Sequence, residues 1–413
     1  MTLQEKIANR SARVVVIGGG YVGRPLAIEI DKAGFRVVVY DTDHAKVDAI
    51  QQLQLTGATI DPQILGTADA VLICVPTPLN KTQDPDNSFV IAAVDQIVKH
   101  VVGEALIVLE STTFPGFTRE VVIPKLSFNP ELHLAFSPER VDPGNGLYGI
   151  KSTPKIVGGS TPASLELATS FYSTFVDRVV PVSSTDAAEM VKMLENTFRA
   201  VNIGLVNEIA IMCRHLNLNV WELIDAAATK PFGFMPFYPG PGLGGHCIPV
   251  DPLYLAWKLR TLKYTTRFIE LADDVNRSMP AFVVQRVADA LNDKSKSVRG
   301  SRILLFGVAY KRDIDDVRES PAIDIWEQLE ARGADVGYFD RHVPQIQIGE
   351  RKRTSNTDSI RWGGQNMYDR CDCAVIVTDH AGIDYAEIVR EVPIVVDCRN
   401  ATRGIEAPNI VRL

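Results

Sequence analysis

Two rhythms of apolar and polar positions divide the chain. The first is a series of short, wholly apolar runs bounded by Gly, Pro or charged residues. It includes "RVVVI" (Arg13 to Ile17), "RVVVY" (Arg36 to Tyr40) and the centre of "ADAVLICVPTP" (Ala68 to Pro78). "ALIVLESTTFPG" (Ala105 to Gly116) and "LAFSPERVDPGN" (Leu134 to Asn145) open in the same way. "KIVGG" (Lys155 to Gly159) and "RVVPV" (Arg178 to Val182) follow, bracketing a helical stretch from Pro162 to Phe175. Runs without alternation predict strands covered on both faces, as in a parallel sheet flanked by helices.

At Thr185 the period changes to 3.6. About thirty residues follow without proline, with Met190, Leu194, Phe198, Val201, Leu205 and Ile209 on one seam, which predicts a single long helix. "WELIDAAATK" and further helical segments continue to Asn292, and the polar linker "SKSVRGS" (Ser295 to Ser301) closes this region. Strand-like runs then resume with "RILLFGVAYK", "DVGYFD", "CDCAVIVTDH" and "PIVVDCRN". Ser320-Pro321 between the first two reads as a helix start, with serine as cap and proline in the first turn. The fold class expected is α/β. Two Rossmann-like parallel-sheet domains (1–184 and 295–413) are joined by a long central helix and a helical middle domain (185–294).

The first strand runs into "GGGYVG", Gly18 to Gly23, and a helix follows from Pro25 to Ala33. Gly18, Gly20 and Gly23 form G-x-G-x-x-G around Tyr21 and Val22. Asp41 ends the next strand about 20 residues on, as the dinucleotide fingerprint requires. The glycines admit a pyrophosphate to the helix N-terminus, and Asp41 is placed to accept from the ribose hydroxyls. Thr42 and Asp43 follow and no arginine stands there for a 2′-phosphate, so NAD is expected rather than NADP. Ligands of open α/β sheets lie beyond the carboxyl ends of the strands. The Val75-Pro76-Thr77 turn and the Ser111-Thr112-Thr113 run should therefore face the cofactor. Those hydroxyls fit a helix cap equally well.

Three further features carry candidate chemistry. Glu139-Arg140 follows the fifth strand and reads either as a site pair or as a surface ion pair. Lys192 and Asn196, four apart, share one face of the long helix, either as a site or as a solvated face. "GPGLGGHCIPVDP" (Gly240 to Pro252) presents Cys247 behind Gly244 and Gly245, stiffened by prolines, with Asp251 four residues on. In the last region Lys311 and Arg318 read either as partners for the phosphates of one nucleotide or as surface charges. No second G-x-G-x-x-G is present for another dinucleotide.

Composition narrows the class. Hydrophobic content of 46% with 23% charged residues is that of a globular chain. A net charge of −7 and no basic run longer than "RKR" argue against nucleic acid as a partner. The N-terminus lacks the apolar core of a signal peptide, and no stretch has the length of a membrane span, so a cytoplasmic setting without membrane contact is expected. The six cysteines and seven histidines show neither disulfide-scaffold density nor zinc-ligand spacing, and no metal is expected.

The ordered motifs "GGGYVGRPLA", "CVPTPL", "STTFPG", "SPERVDPGN", "AAEMVKMLEN", "GPGLGGHCIPVDP", "GVAYKRDIDDVRESPA" and "VIVTDH" resemble the UDP-glucose/GDP-mannose dehydrogenase family along nearly the whole chain. "GGHCIPVDP" and "SPERVDPG" look most like its UDP-N-acetylhexosamine branch. The glucosamine enzymes are the nearest match, with mannosamine or UDP-glucose as alternatives. The resemblance implies a C6 alcohol oxidised to an acid with two NAD⁺ through a thioester on Cys247, for surface-polysaccharide synthesis. It implies Asp251 beside the cysteine, Lys192 and Asn196 flanking C6, and Thr113 and Glu139 handling water. It also implies a homodimer in which Arg267 reaches the partner's substrate. A UDP-sugar sensor without activity is the rival of another class, and the complete residue set argues against it. Three departures stand out: a shortened segment between Lys46 and Ala68, Arg24 at a usually apolar position, and Arg312 after Lys311.

Overall fold

A computed structural model describes residues 1–52, 57–80, 84–127, 129–141, 148–349, 351–355 and 367–413. Part of the shortened segment (53–56) and the end of the "SPERVDPGN" run (Asp142 to Asn145) lie outside the described residues. The chain forms two compact units, Met1–Asn196 with Leu253–Thr265, and Thr197–Pro252 with Thr266–Leu413.

The first unit holds an eight-stranded sheet. Its strands are β1 (Arg13–Ile17), β2 (Arg36–Tyr40), β3 (Gly57–Thr59), β4 (Ala70–Ile73), β5 (Ala105–Leu109), β6 (Leu132–Phe136), β7 (Lys155–Gly159) and β8 (Val179–Val182). Their order is β3-β2-β1-β4-β5-β6-β7-β8. The first six strands run parallel, in the doubly wound order whose direction reverses between β1 and β4. The wholly parallel sheet expected is broken at one place, where β7 pairs antiparallel with β6 at Ala135↔Gly159 and Phe136↔Gly158. The core explains the runs: Val14, Val16, Val37, Val39, Leu72 and Val108 are buried with Leu26, Ile30 and Phe171 of the covering helices. The outer edge beside the shortened segment is closed by the three-residue β3, parallel to β2.

The second unit holds a five-stranded parallel sheet of β9 (Arg302–Phe306), β10 (Asp335–Phe339), β13 (Cys373–Ile376), β14 (Val395–Asp397) and β15 (Ile410–Arg412), ordered β10-β9-β13-β14-β15. Between β10 and β13 lies an antiparallel hairpin, β11 (Gln345–Ile348) and β12 (Arg351–Thr354), and the "RKR" run lies in its second strand. The Pro321–Ala331 helix starts as expected, with Ser320 Oγ accepting from the Ala322 N–H at 3.3 Å. Trp326 of that helix is fully buried against Tyr338.

The period-3.6 region is one continuous helix, Thr185–Leu216, whose residues to Asn196 belong to the first unit and whose remainder belongs to the second. Val220–Ala228, Asp251–Thr261 and Arg267–Asn292 follow as helices. Pro280 lies inside the last without ending it.

Candidate active site

The dinucleotide loop has the geometry its glycines predict. Gly18 takes φ +100°, and a Cβ there would lie 2.6 Å from the Cys74 carbonyl oxygen; at Gly23 it would lie 1.9 Å from the Gly18 carbonyl oxygen. A side chain at either position would push the loop off the strand end or the helix off the loop. Gly20 is the opposite case, since a Cβ there would meet nothing within 4 Å. That open face leaves room for a pyrophosphate. Val22 offers no side-chain cap to the Gly23–Lys32 helix, leaving N–H groups for an anion. Tyr21 is exposed. Asp41 accepts from the Gly19 N–H at 2.7 Å through one oxygen and from the Asp43 N–H at 2.9 Å through the other. These bonds hold the carboxylate over the loop, with Lys46 Nζ 3.9 Å away.

The turns after β4 and β5 are tied together. Ser111 Oγ donates to the Val75 carbonyl at 2.7 Å and to the Ile73 carbonyl at 3.2 Å. Tyr254 Oη donates to the carbonyls of Thr77 (2.7 Å) and Pro78 (3.1 Å), fixing the turn that begins at Val75 and Pro76. The hydroxyls at 111 and 113 do not cap the helical segment that follows; Thr113 instead faces the long helix, its Oγ 3.4 Å from Glu189.

In the loop after β6, Glu139 and Arg140 take separate partners. Glu139 accepts from the N–H groups of Arg140 (2.7 Å) and Val141 (2.6 Å), with Lys155 Nζ 3.6 Å from its other oxygen. Burial pushes the Glu139 carboxyl up, but Lys155, the two N–H groups and Lys192 outweigh it and hold the pKa below the ordinary value. Lys192 is not a solvated lysine: it is buried and donates to the Glu139 carbonyl at 2.7 Å. Asn196, one turn on, is buried as well. The Arg140 guanidinium turns away from Glu139, pairing with Glu195 at 2.5 Å and with the Pro154 carbonyl.

Three residues behind this loop, Lys155, Glu110 and Tyr172, carry no sequence signal of a site. Lys155 Nζ lies 2.5 Å from Glu110 and 3.2 Å from the Pro138 carbonyl, and Tyr172 Oη donates to Glu110. Burial works against the Lys155 charge, yet Glu110 and Glu139 outweigh it and raise its pKa. The buried Lys155 thus joins the ends of β5, β6 and β7.

In the second unit the cysteine loop packs on the segment after β9. A Cβ on Gly244 would lie 2.5 Å from the Tyr310 Cβ; at Gly245, with φ +85°, it would lie 2.8 Å from the Tyr310 ring. The Gly245 N–H donates to the Arg318 carbonyl at 2.9 Å. These contacts bring the cysteine loop onto the segment that carries Lys311 and Arg318. Cys247 is exposed, and its carbonyl accepts from the Asp251 N–H at 2.8 Å, so the loop leads directly into the Asp251–Thr261 helix. Asp251 is buried in that first turn, where the helix dipole favours a carboxylate. Burial, then Arg318, lower the His246 pKa, with Asp316 opposing. Arg318 itself pairs with Asp316 at 2.6 Å. Arg267 is exposed at the start of the Arg267–Asn292 helix. The cysteine loop meets that helix through Gly242 at Asn276 and Pro280, about 14 and 20 Å further along its axis than Arg267.

A glycine cradle at the switch point of a doubly wound sheet defines a dinucleotide-binding α/β protein. Comparison with known proteins narrows that class. The UDP-glucose/GDP-mannose dehydrogenase family matches with its NAD binding domain (12–57 and 53–176), its central domain (186–278) and its UDP binding domain (304–404). UDP-N-acetyl-D-mannosamine dehydrogenase of Methanococcus maripaludis is 34% identical, over 89% of this chain and 86% of that one. UDP-N-acetyl-D-glucosamine 6-dehydrogenase of Pseudomonas aeruginosa is 33% identical, over 81% and 84%. The solved structure of a UDP-D-ManNAc dehydrogenase from Pyrococcus horikoshii superposes with a TM-score of 0.84 at 30% identity, over 97% and 98%. The chain belongs to the UDP-glucose/GDP-mannose dehydrogenase family and is an NAD-dependent UDP-sugar dehydrogenase.

Proposed function

We propose that the chain is a four-electron 6-dehydrogenase of UDP-N-acetylhexosamines, acting on UDP-N-acetyl-D-mannosamine. The observation that carries the chemistry is Cys247, an exposed thiol on a glycine- and proline-stiffened loop packed against the segment of Lys311 and Arg318. A one-step alcohol dehydrogenase has no use for such a thiol. An aldehyde cannot release a second hydride until a nucleophile adds, and thiolate addition gives the thiohemiacetal that can. NAD⁺, when bound at the glycine loop, would supply the acceptor for two hydrides from C6, one from the alcohol and one from the thiohemiacetal. The resulting thioester then reacts with water, releasing the acid and returning the thiol. Lys192 and Asn196 are the groups suited to stabilise the oxyanion, and Thr113, Glu139 and Asp251 those suited to position water and accept its proton.

Support for the mannosamine epimer is the name shared by the Methanococcus and Pyrococcus relatives. The glucosamine epimer is the second reading, favoured by the cysteine-loop motif and by the Pseudomonas relative, whose identity is nearly the same. The product, a UDP-sugar uronate, suits surface-polysaccharide assembly. The test is NADH formation with UDP-N-acetylmannosamine, UDP-N-acetylglucosamine and UDP-glucose. The mannosamine compound is expected to give the highest kcat/KM and two NADH per uronate. One NADH per product, or a preference for UDP-glucose, would refute the proposal.

A further inference from the structure

Glu189 shares the "AAEMVKMLEN" stretch with Lys192 and Asn196 but has no part in the reaction as proposed, and it is fully buried. A carboxylate so placed needs donors, and the 113–118 loop supplies all of them. One oxygen accepts from the Gly116 N–H at 2.6 Å. The other accepts from the Thr118 hydroxyl at 2.6 Å, the Thr118 N–H at 2.9 Å and, at the longer distance of 3.4 Å, the Thr113 hydroxyl. Four donors on one buried side chain, from a single loop, make a clamp rather than an incidental contact.

The clamp has a functional address. The loop leaves the carboxyl end of β5, the sheet edge where dinucleotides lie in doubly wound folds. Glu189, Lys192 and Asn196 are spaced by three and four, hence on one face of the Thr185–Leu216 helix. We propose that Glu189 is a positioning residue of the oxidation: it holds the 113–118 loop, and with it Thr113, in register with the helix turns that carry Lys192 and Asn196. The inference rests on the reading that Thr113, Lys192 and Asn196 belong to the reacting site.

The clamp is also pH-dependent. All four partners donate, so protonating the carboxylate weakens every bond of the clamp, and of the donors only the hydroxyls of Thr113 and Thr118 can turn to accept instead. Burial raises the Glu189 pKa to about 7; the Thr118 and Gly116 bonds pull it down and Asp186 adds to the rise. The other charges nearby are already paired. Arg119 bonds Asp186 and Glu120, Lys258 bonds Glu120, and Lys192 donates to the Glu139 carbonyl. The clamp is therefore complete above pH 7 and opens as the pH falls below it.

Steady-state NADH formation by the intact enzyme between pH 5.5 and 8.5 tests this with three variants. Glu189→Gln keeps the shape, cannot ionise and faces N–H donors with an amide. It is expected to lower kcat about 100-fold at pH 8, to leave both KM values within about threefold, and to abolish the wild-type decline in kcat below pH 7. Thr118→Val removes one donor from the carboxylate and is expected to shift that decline to higher pH. Wild-type kcat in Glu189→Gln, or a lowered kcat with the decline unmoved in both variants, would overturn the proposal. Should Glu189→Gln fail to fold, the direction of the Thr118→Val shift decides alone. Thr113→Val separates the inference from its basis. A silent Thr113→Val overturns the site reading and the inference with it. An impaired Thr113→Val beside a normal Glu189→Gln overturns the inference alone.

Discussion

In the proposed reaction Cys247 is the residue at which a one-step and a two-step dehydrogenase part. Alcohol oxidation needs a base and a hydride acceptor; aldehyde oxidation needs, in addition, a covalent adduct. Cys247→Ala is therefore expected to cut steady-state uronate formation at least about a thousandfold while sparing the binding of NAD⁺ and UDP-sugar. Serine at 247 keeps an oxygen nucleophile of far higher pKa and is expected to rescue little. The measurement is uronate by chromatography beside NADH by absorbance. An alanine variant that makes acid at near-normal rate would remove the thioester. Structure at this position favours such a clean experiment, because Cys247 is exposed and alanine there opens no core cavity. Its neighbours are less forgiving: at Gly244 and Gly245 even a methyl group would strike Tyr310.

At the scale of elements, the ends of β5, β6 and β7 are held together by one buried cation. Lys155→Met leaves Glu110 with no ammonium, and breaking a buried pair in this way costs about 3–5 kcal/mol. Pairing the change with Glu110→Gln is expected to return part of that loss. Glu139 adds a pH signature. Its folded pKa lies below the unfolded value, so its contribution is present above the unfolded pKa and is lost as pH falls through the folded one. Removing Lys155 raises the folded pKa, so acid unfolding of Lys155→Met should begin at higher pH than in the wild type. Urea melts from pH 4 to 8 follow both effects, and a stability change under 1 kcal/mol would show the pair to be unimportant. Lys155 also shows where sequence reading stops. β1, β2, β4 and β5 and the long helix were legible, because each is a run whose period states its burial. β3, β15 and the β11–β12 hairpin were not, being three or four residues long and, in the hairpin, polar. In the candidate site, Gly18, Asp41, Lys192 and Cys247 stand in motifs that can be read locally. Lys155, and Glu189 although it shares a motif with Lys192, acquire their roles only because the fold carries them to partners tens of residues away, and no local pattern names those partners.

At the scale of the molecule, the Thr185–Leu216 helix shows which of its apolar residues the chain itself has used. Val206, Ala210 and Cys213 are buried with Trp221 and Ile224. Leu194, Phe198, Leu205, Met212 and Leu216 recur at spacings of four and seven and stay 60, 45, 53, 45 and 67% exposed. A stripe of that length has no counterpart inside one chain's core, and a patch of large apolar side chains of this kind marks an interaction surface. A second copy is the occupant proposed. A helix laid against its twofold mate matches apolar stripe to apolar stripe, and each added contact appears twice. Phe268 and Leu271, 76 and 58% exposed on the first turns of the Arg267–Asn292 helix, extend the apolar surface there. With an interface of standard size the association should persist at micromolar concentration. Sedimentation is therefore expected to give about twice the 45.4 kDa chain mass. Leu205→Glu buries a charge at the centre of the stripe without disturbing the inner face, and should return the monomer with its circular dichroism unchanged. If the dimer forms and Arg267 serves the partner's site, Arg267→Ala should raise the KM for UDP-sugar in the dimer while leaving sedimentation as it was. A wild-type chain that sediments as a monomer at micromolar concentration would leave the stripe without a partner and Arg267 without a site.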